Sequence, residues 1–189
     1  MSALVLGIDA GSATAREAEH LLAEVRTLLD LGGGAVCCTH LVRDHARPHV
    51  AVSVAAAGLS TAAFAVLPAG YGAALGAYRV GPPDLAAAAA VAADEHGTRR
   101  SGRAVYYPGA AGLTGVRTVG EVLAGSAIER VAVLGGAPPA PDTVLDTRDF
   151  VRPQWQDGRL TLVATPAPAG RIAPFEVPNP TPCCADHAI

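Results

Sequence analysis

The chain contains no lysine; all 14 of its basic residues are arginine. A guanidinium stays protonated and forms no Schiff base, so amine nucleophiles, pyridoxal chemistry and the lysine of a phosphate-binding P-loop are excluded. Aromatic residues are nearly as scarce, at 4% with a single tryptophan. The core must therefore be built from alanine, valine and leucine, which favours tight packing of small side chains. A formal charge of −3 leaves no basic stripe, which argues against nucleic acid as a partner. Long apolar runs are missing as well. The opening "MSALVLGIDAGS" is cut by Asp9 and has no basic flank, too short for a signal peptide or a membrane span. "DLAAAAAVAAD" is bounded by charge at both ends and reads as a packed helix. These absences predict a cytoplasmic protein with no membrane partner. Thiols there stay reduced, so the four cysteines are free thiols, metal ligands or catalytic groups before they are disulfides.

What is present reads as one domain, since 189 residues bury a core without staples. "ALVLGID" is a short apolar run of the buried-strand type. "SATAREAEHLLAEVRTLLDLGGG" is a helix with Ser12 or Thr14 as cap, leucines and Val25 at helical spacing, and a triple-glycine stop. "AVCCTHLV" and "HVAVSVAAAG" are adjacent strands around the loop "RDHARP". "STAAFAVLPAGYGAALGAYRV" is helical but broken at Pro68 and Gly70. "PPDLAAAAAVAADEHG" is a helix with proline in its first turn, and "TVGEVLAG" a short helix before the strand "RVAVLGG". Composition shifts near residue 137, after which ten of the fifteen prolines and only two of the 21 glycines occur. "TVLDTRDFVRP" and "GRLTLVATP" are strands joined by "QWQDG", with Asp146, Arg148 and Arg152 on one face. The expectation is an α/β or α+β fold: residues 1–165 form a single compact domain whose mixed sheet is flanked by helices, with a β-rich C-terminal part. Residues 166–189 form an extended, proline-rich arm lying over the body or a neighbouring subunit, a route to a homo-oligomer.

"LGIDAGSATAR" resembles the first phosphate loop of the actin-like ATPases and sugar kinases, with Asp9, Gly11 and Ser12 in the matching places. In that family the loop runs straight into the second strand of a hairpin, whereas Ala15 onward is helical here. The stretch is therefore read as a helix cap, and kinase chemistry is not expected. "GLSTA", residues 58–62, is a relaxed nucleophile elbow between a strand and a helix. Ser60 would be its nucleophile, with Asp142, Asp146 or Asp149 and then His187 completing the order of a serine hydrolase. An ordinary helix cap is the competing role for Ser60.

The doubled cysteine–histidine pattern is the sharpest feature. Neighbouring strand residues point to opposite faces, so Cys37 and Cys38 cannot serve one site, whereas Cys38 and His40 share a face. In the tail, Cys184 and His187, or Cys183 and His187, fit one helical turn. Cys38, His40, Cys184 and His187 would then make a two-thiolate, two-imidazole set suited to zinc or another transition metal. His45 and His49 are substitutes from the loop and candidate ligand-binding residues, and Cys183 is a candidate thiolate nucleophile at a helical N-terminus. Arg148 and Arg152 would orient an anionic substrate. The sequence thus supports a small enzyme-like protein with a Cys/His metal or thiol site acting on an anionic small molecule. The competing class is a non-catalytic binding or assembly subunit whose arm packs on a neighbour and whose cysteines only fill space.

Overall fold

The structure, a computed structural model, describes residues 4–43 and 48–178. Its first strand, β1 (Val5–Ser12), is the buried apolar run of the sequence. Helix α1 (Ala15–Leu28) follows with Thr14 as its cap: Thr14 Oγ1 accepts the Glu17 N–H at 3.2 Å, and Glu17 accepts the Ala13 N–H at 2.7 Å. Ala18, Leu21, Leu22 and Val25 recur on one helix face and are buried. β2 (Val36–Val42) and β3 (His49–Ala55) pair antiparallel, with Cys38 opposite Ser53. β3 also pairs with β1, and β1 with β4 (Gly72–Leu75), which turns back into β5 (Tyr78–Val80). Helix α2 (Pro83–Gly97) then leads to β6 (Arg103–Tyr106), which joins the far side of β2. The strand order of this half is β5-β4-β1-β3-β2-β6.

Strand alternation sorts its side chains into two layers. Leu6, Ile8, Cys37, Val50, Val52 and Val54 pack with the apolar face of α1. The other face is made of small residues and carries α2. A Cβ at Gly7 would lie 1.8 Å from the Ala89 carbonyl oxygen, and one at Gly72 would lie 2.2 Å from the Leu85 carbonyl carbon. The alanine-rich helix therefore rests almost directly on the strand backbones, which is how a core with few large side chains reaches protein density.

The second half comprises β7 (Val116–Thr118), α3 (Val119–Gly125), β8 (Arg130–Val133), β9 (Val144–Asp146), β10 (Gln154–Gln156), β11 (Arg159–Ala167) and β12 (Arg171–Pro174). β10 and β11 form a hairpin around Asp157 and Gly158, whose φ of 52° and 78° suit a two-residue turn. β11 runs parallel to β8 and antiparallel to β12, β12 parallel to β9, and β9 antiparallel to β7. The sheet is thus mixed and the fold α/β, as expected. Leu145, Leu160, Leu162, Val122, Ile128 and Trp155 form a second core. The halves meet where Arg103 pairs with Gln154, flanked by Ala104 N–H to Pro153 O at 2.7 Å and Trp155 N–H to Gly102 O at 2.9 Å.

Three expectations are corrected. The stretch from Ser60 to Val80 is not a broken helix: a 3-10 turn at Thr61–Val66 precedes the β4–β5 hairpin. Gly70 and Gly76 sit at positive φ, and Gly72 is pressed onto α2, so its glycines serve turns and close approach. Asp146, Arg148 and Arg152 do not line one strand face, because β9 ends at Asp146 and Arg148 and Asp149 both adopt a φ of 51°. The extended arm does not begin at Pro166. Pro166 faces Ile172 and Ala164 faces Pro174 across the β11–β12 ladder, so 166–174 belongs to the sheet. The "QWQDG" segment supplies strand β10 as well as the turn.

Candidate functional site

Three polar constellations stand out from this apolar frame. The most buried lies beneath the C-terminal end of α2. His96 continues the buried stripe of Ala88, Ala89 and Ala92 and reaches the sheet. Its Nδ1 is 2.8 Å from Ser53 Oγ on β3, which is 2.7 Å from Nε2 of His40 on β2. His40 Nδ1 is 2.9 Å from Glu95 Oε2, which also accepts the Ser101 hydroxyl at 2.8 Å. The hydrogen bond from His40 holds the Glu95 carboxyl below its ordinary range against the opposing effect of burial, with Ser101 adding to it. Burial pushes His96 down to about 3, helped by the nearby His40 and Arg99, so it is a neutral imidazole. His96 and His40 thus share the Ser53 hydroxyl, and His40 Nδ1–H donates to the Glu95 carboxylate; the direction through Ser53 follows the ring tautomers. Gly102 passes over the His40 ring at a φ of 127°, and a Cβ there would meet His40 Cε1 at 2.7 Å.

That order of acid, imidazole and hydroxyl is the order of a hydrolytic triad. Ser53, however, is fully buried and its oxygen is already shared by two imidazoles. The chain is a satisfied clamp between α2 and the sheet. The sequence reading singled out His40 but missed Ser53, Glu95 and His96. The spacing of His96 after Ala88, Ala89 and Ala92 was the available signal, since it extends the buried stripe by one turn.

The second constellation is at the other end of β1. Asp9 is fully buried, accepts the Gly11 N–H at 2.8 Å and lies 2.6 Å from His49 Nε2. The Asp9 carboxyl thus orients both a tight turn at Gly11, whose φ is 70°, and the imidazole that starts β3. Asp9 and Gly11, the residues of the phosphate-loop resemblance, serve this turn, and the helix follows at Ala15 as the N-cap reading requires.

The third is a group of arginines around α1. Glu19 accepts from Arg103 Nη1 at 2.8 Å and from Arg152 Nη2 at 3.0 Å, and Glu176 accepts from Arg103 Nε at 2.7 Å. Burial alone would raise the Glu19 carboxyl, but Arg152 and Arg103 together hold it below its usual range. Two cations and two anions balance there. Arg26, in the last turn of α1, lies outside that balance: its guanidinium carbon stands 4.1 Å from the Tyr106 ring centroid, and no carboxylate among the described residues pairs with it. Among the described residues the buried Nε atoms of Arg26 and Arg152 find no hydrogen-bond partner. Both arginines line a cleft of about 460 Å³ between the glycines after α1 and the loop after β6, with Ala35, Val105, Tyr106, Tyr107 and Gly109 to Ala111. Its described lining contains no acidic residue.

The residues singled out in the sequence distribute as follows. Cys37 and Cys38 do point to opposite faces, Cys37 into the core under α1 and Cys38 into the second core. Burial pushes the Cys37 thiol up to about 12, and burial with the neighbouring Cys37 raises the Cys38 thiol as well. Both His40 nitrogens are engaged by Glu95 and Ser53. Among the described residues, no group of three or more His, Cys, Asp or Glu side chains is placed to hold a metal ion. Cys183, Cys184, His187 and His45 lie outside the described residues. Ser60 caps the 3-10 turn, its Oγ accepting the Ala62 N–H at 3.4 Å, and the cleft it borders has no histidine among its described lining residues. Arg148 is in an exposed turn, and Arg152 is the one predicted anion-orienting residue at a cleft. No helix among the described residues is long and apolar enough to cross a membrane. Comparisons with protein-family models, curated proteins and solved structures find no match for this chain.

Proposed function

We propose that this protein binds an anionic small molecule in the cleft between α1 and the loop after β6, with Arg26 and Arg152 as its cationic groups. One observation carries the reading: the Arg26 guanidinium lies over Tyr106 with no carboxylate among the described residues, in a cleft whose described lining has no acidic residue. A partly desolvated cation normally acquires a counter-ion or a full set of acceptors. Stacking on tyrosine contributes about 0.5–2 kcal/mol, too little to replace both. The volume falls in the range of small-molecule sites, which combine apolar walls with a few convergent polar groups.

This reading keeps the anionic small molecule expected from the sequence and moves its recognition from Arg148 to Arg26. It sets the metal aside as the organising group, because Cys38 is sealed and both His40 nitrogens are spent. The class is a binding protein, and no chemical step is assigned. The test is thermal unfolding of the full chain at low ionic strength with a panel of small carboxylates, phosphates and sulfonates. A ligand at 100 times its dissociation constant stabilises by about 2.7 kcal/mol. At least one class should raise the midpoint of the native chain, and the rise should vanish in Arg26→Gln. A panel without effect on the native chain contradicts the reading.

A further inference from the structure

Resting on that reading, we infer that the cleft is selective for an aromatic monocarboxylate over a phosphate. Arg103 and Arg152 carry two positive charges, and Glu19 and Glu176 answer them with two negative ones at 2.7–3.0 Å. Arg26 adds one further positive charge and has no carboxylate among the described residues. A single negative charge completes the balance. A phosphate monoester brings close to two, and the described lining has no second unpaired cation for the other, since Arg152 is already paired with Glu19.

A guanidinium edge meets a carboxylate through two parallel hydrogen bonds, as it also can a phosphate, so the selectivity rests on charge and lining. The Arg26 guanidinium carbon rests 4.1 Å from the Tyr106 ring centroid, a contact that limits the side-chain freedom still to be lost on binding. The rest of the described lining is Ala35, Val105, Ala110, Ala111, three glycines and two tyrosines, of which Tyr107 is buried with its hydroxyl on the Val151 carbonyl and Tyr106 carries Arg26. Those walls offer an apolar slot to the body of the ligand and no acidic group to a hydroxylated one. Gly32, Gly33 and Gly109 also border it. Gly109 has a φ of 81°, and a Cβ there would lie 2.1 Å from the Gly125 carbonyl oxygen, so its loop is held against the end of α3.

The probes are 2-naphthoate, phenyl phosphate and inorganic phosphate, each titrated calorimetrically into the full chain at low ionic strength and neutral pH. Naphthoate should bind at least tenfold more tightly than phenyl phosphate, and Arg26→Gln should weaken naphthoate at least tenfold while leaving the unfolding midpoint of the free protein within a few degrees. Arg26→Lys, which keeps the charge but not the planar fork, should recover only part of the affinity. Tighter binding of either phosphate overturns the selectivity while leaving an anion site in place. Absence of binding by all three overturns both the selectivity and the site. Naphthoate affinity unchanged in Arg26→Gln also overturns both, because it puts the ligand elsewhere.

Discussion

His96 shows what a single residue costs in this fold. Its imidazole is buried against Ser53 and stays neutral far below the range in which a free histidine is protonated. The unfolded chain takes up a proton near pH 6.5 and the native chain does not, so stability is fully present above that pH and falls as the pH drops toward about 3. The slope approaches about 1.4 kcal/mol per pH unit below 6.5. Denaturant unfolding at pH 7, 6 and 5 should show this decline. His96→Gln, which retains a polar end but does not titrate, should be less stable at pH 7 and flatter between pH 6.5 and 4.5. An equal slope in the variant would show that His96 is not the source. The lowered Glu95 carboxyl adds its own loss only at more acidic pH, as it protonates. At this scale the sequence was half legible. Adjacent cysteines facing opposite ways followed from strand geometry alone, and Cys37 and Cys38 obey it. Ser53 and Glu95 were invisible because each becomes polar core only through partners 13 and 55 residues distant.

Among the elements, α2 and the face it covers depend most on side-chain size. Ala86, Ala88, Ala89 and Ala92 meet Gly7, Ala51 and Gly72 at backbone contact. Gly7→Ala puts a methyl carbon inside the Ala89 carbonyl, and helix or strand must shift. A loss of about 3 kcal/mol or more is expected, at the upper end for overpacking, read as a lowered denaturant midpoint. Gly125→Ala is the control: the position is the last residue of α3 and has open space around it, so its stability should be unchanged or raised by up to about 1 kcal/mol. Helices were the most readable elements, since α1, α2 and α3 each carry both a periodic apolar or alanine stripe and a start signal. The β4–β5 hairpin was misread because alanine-rich segments satisfy helix and strand patterns alike. Only the backbone of α2 above Gly72 makes glycine there a packing requirement.

For the whole molecule, the decisive feature is the junction of two half-sheets. β6 pairs with β2 on one side and with β10 on the other through Arg103 and Gln154. Arg103 also ties Glu19 of α1 to Glu176 beyond β12, so one side chain links both cores. The Arg26 cleft spans this junction, with α1 and the start of β2 on one wall and Arg152 and the 109–111 loop on the other. Such a site could not be read along the chain, because Arg26 and Arg152 are neighbours only after the sheet is assembled. Arg152 was nonetheless singled out for anion orientation, from an expected strand face shared with Asp146 and Arg148 that the structure does not form. The most direct test of the central claim uses the chain's reliance on arginine for every basic residue. In a chain labelled with ¹⁵N-arginine, the side-chain Nε–H signals of its 14 arginines form a small, assignable set. Titration with 2-naphthoate should move the Arg26 and Arg152 signals together and saturably, with Arg26→Gln removing one and abolishing the shift of the other. Saturable shifts confined to other arginines, or none at all, would contradict the cleft as the site of recognition.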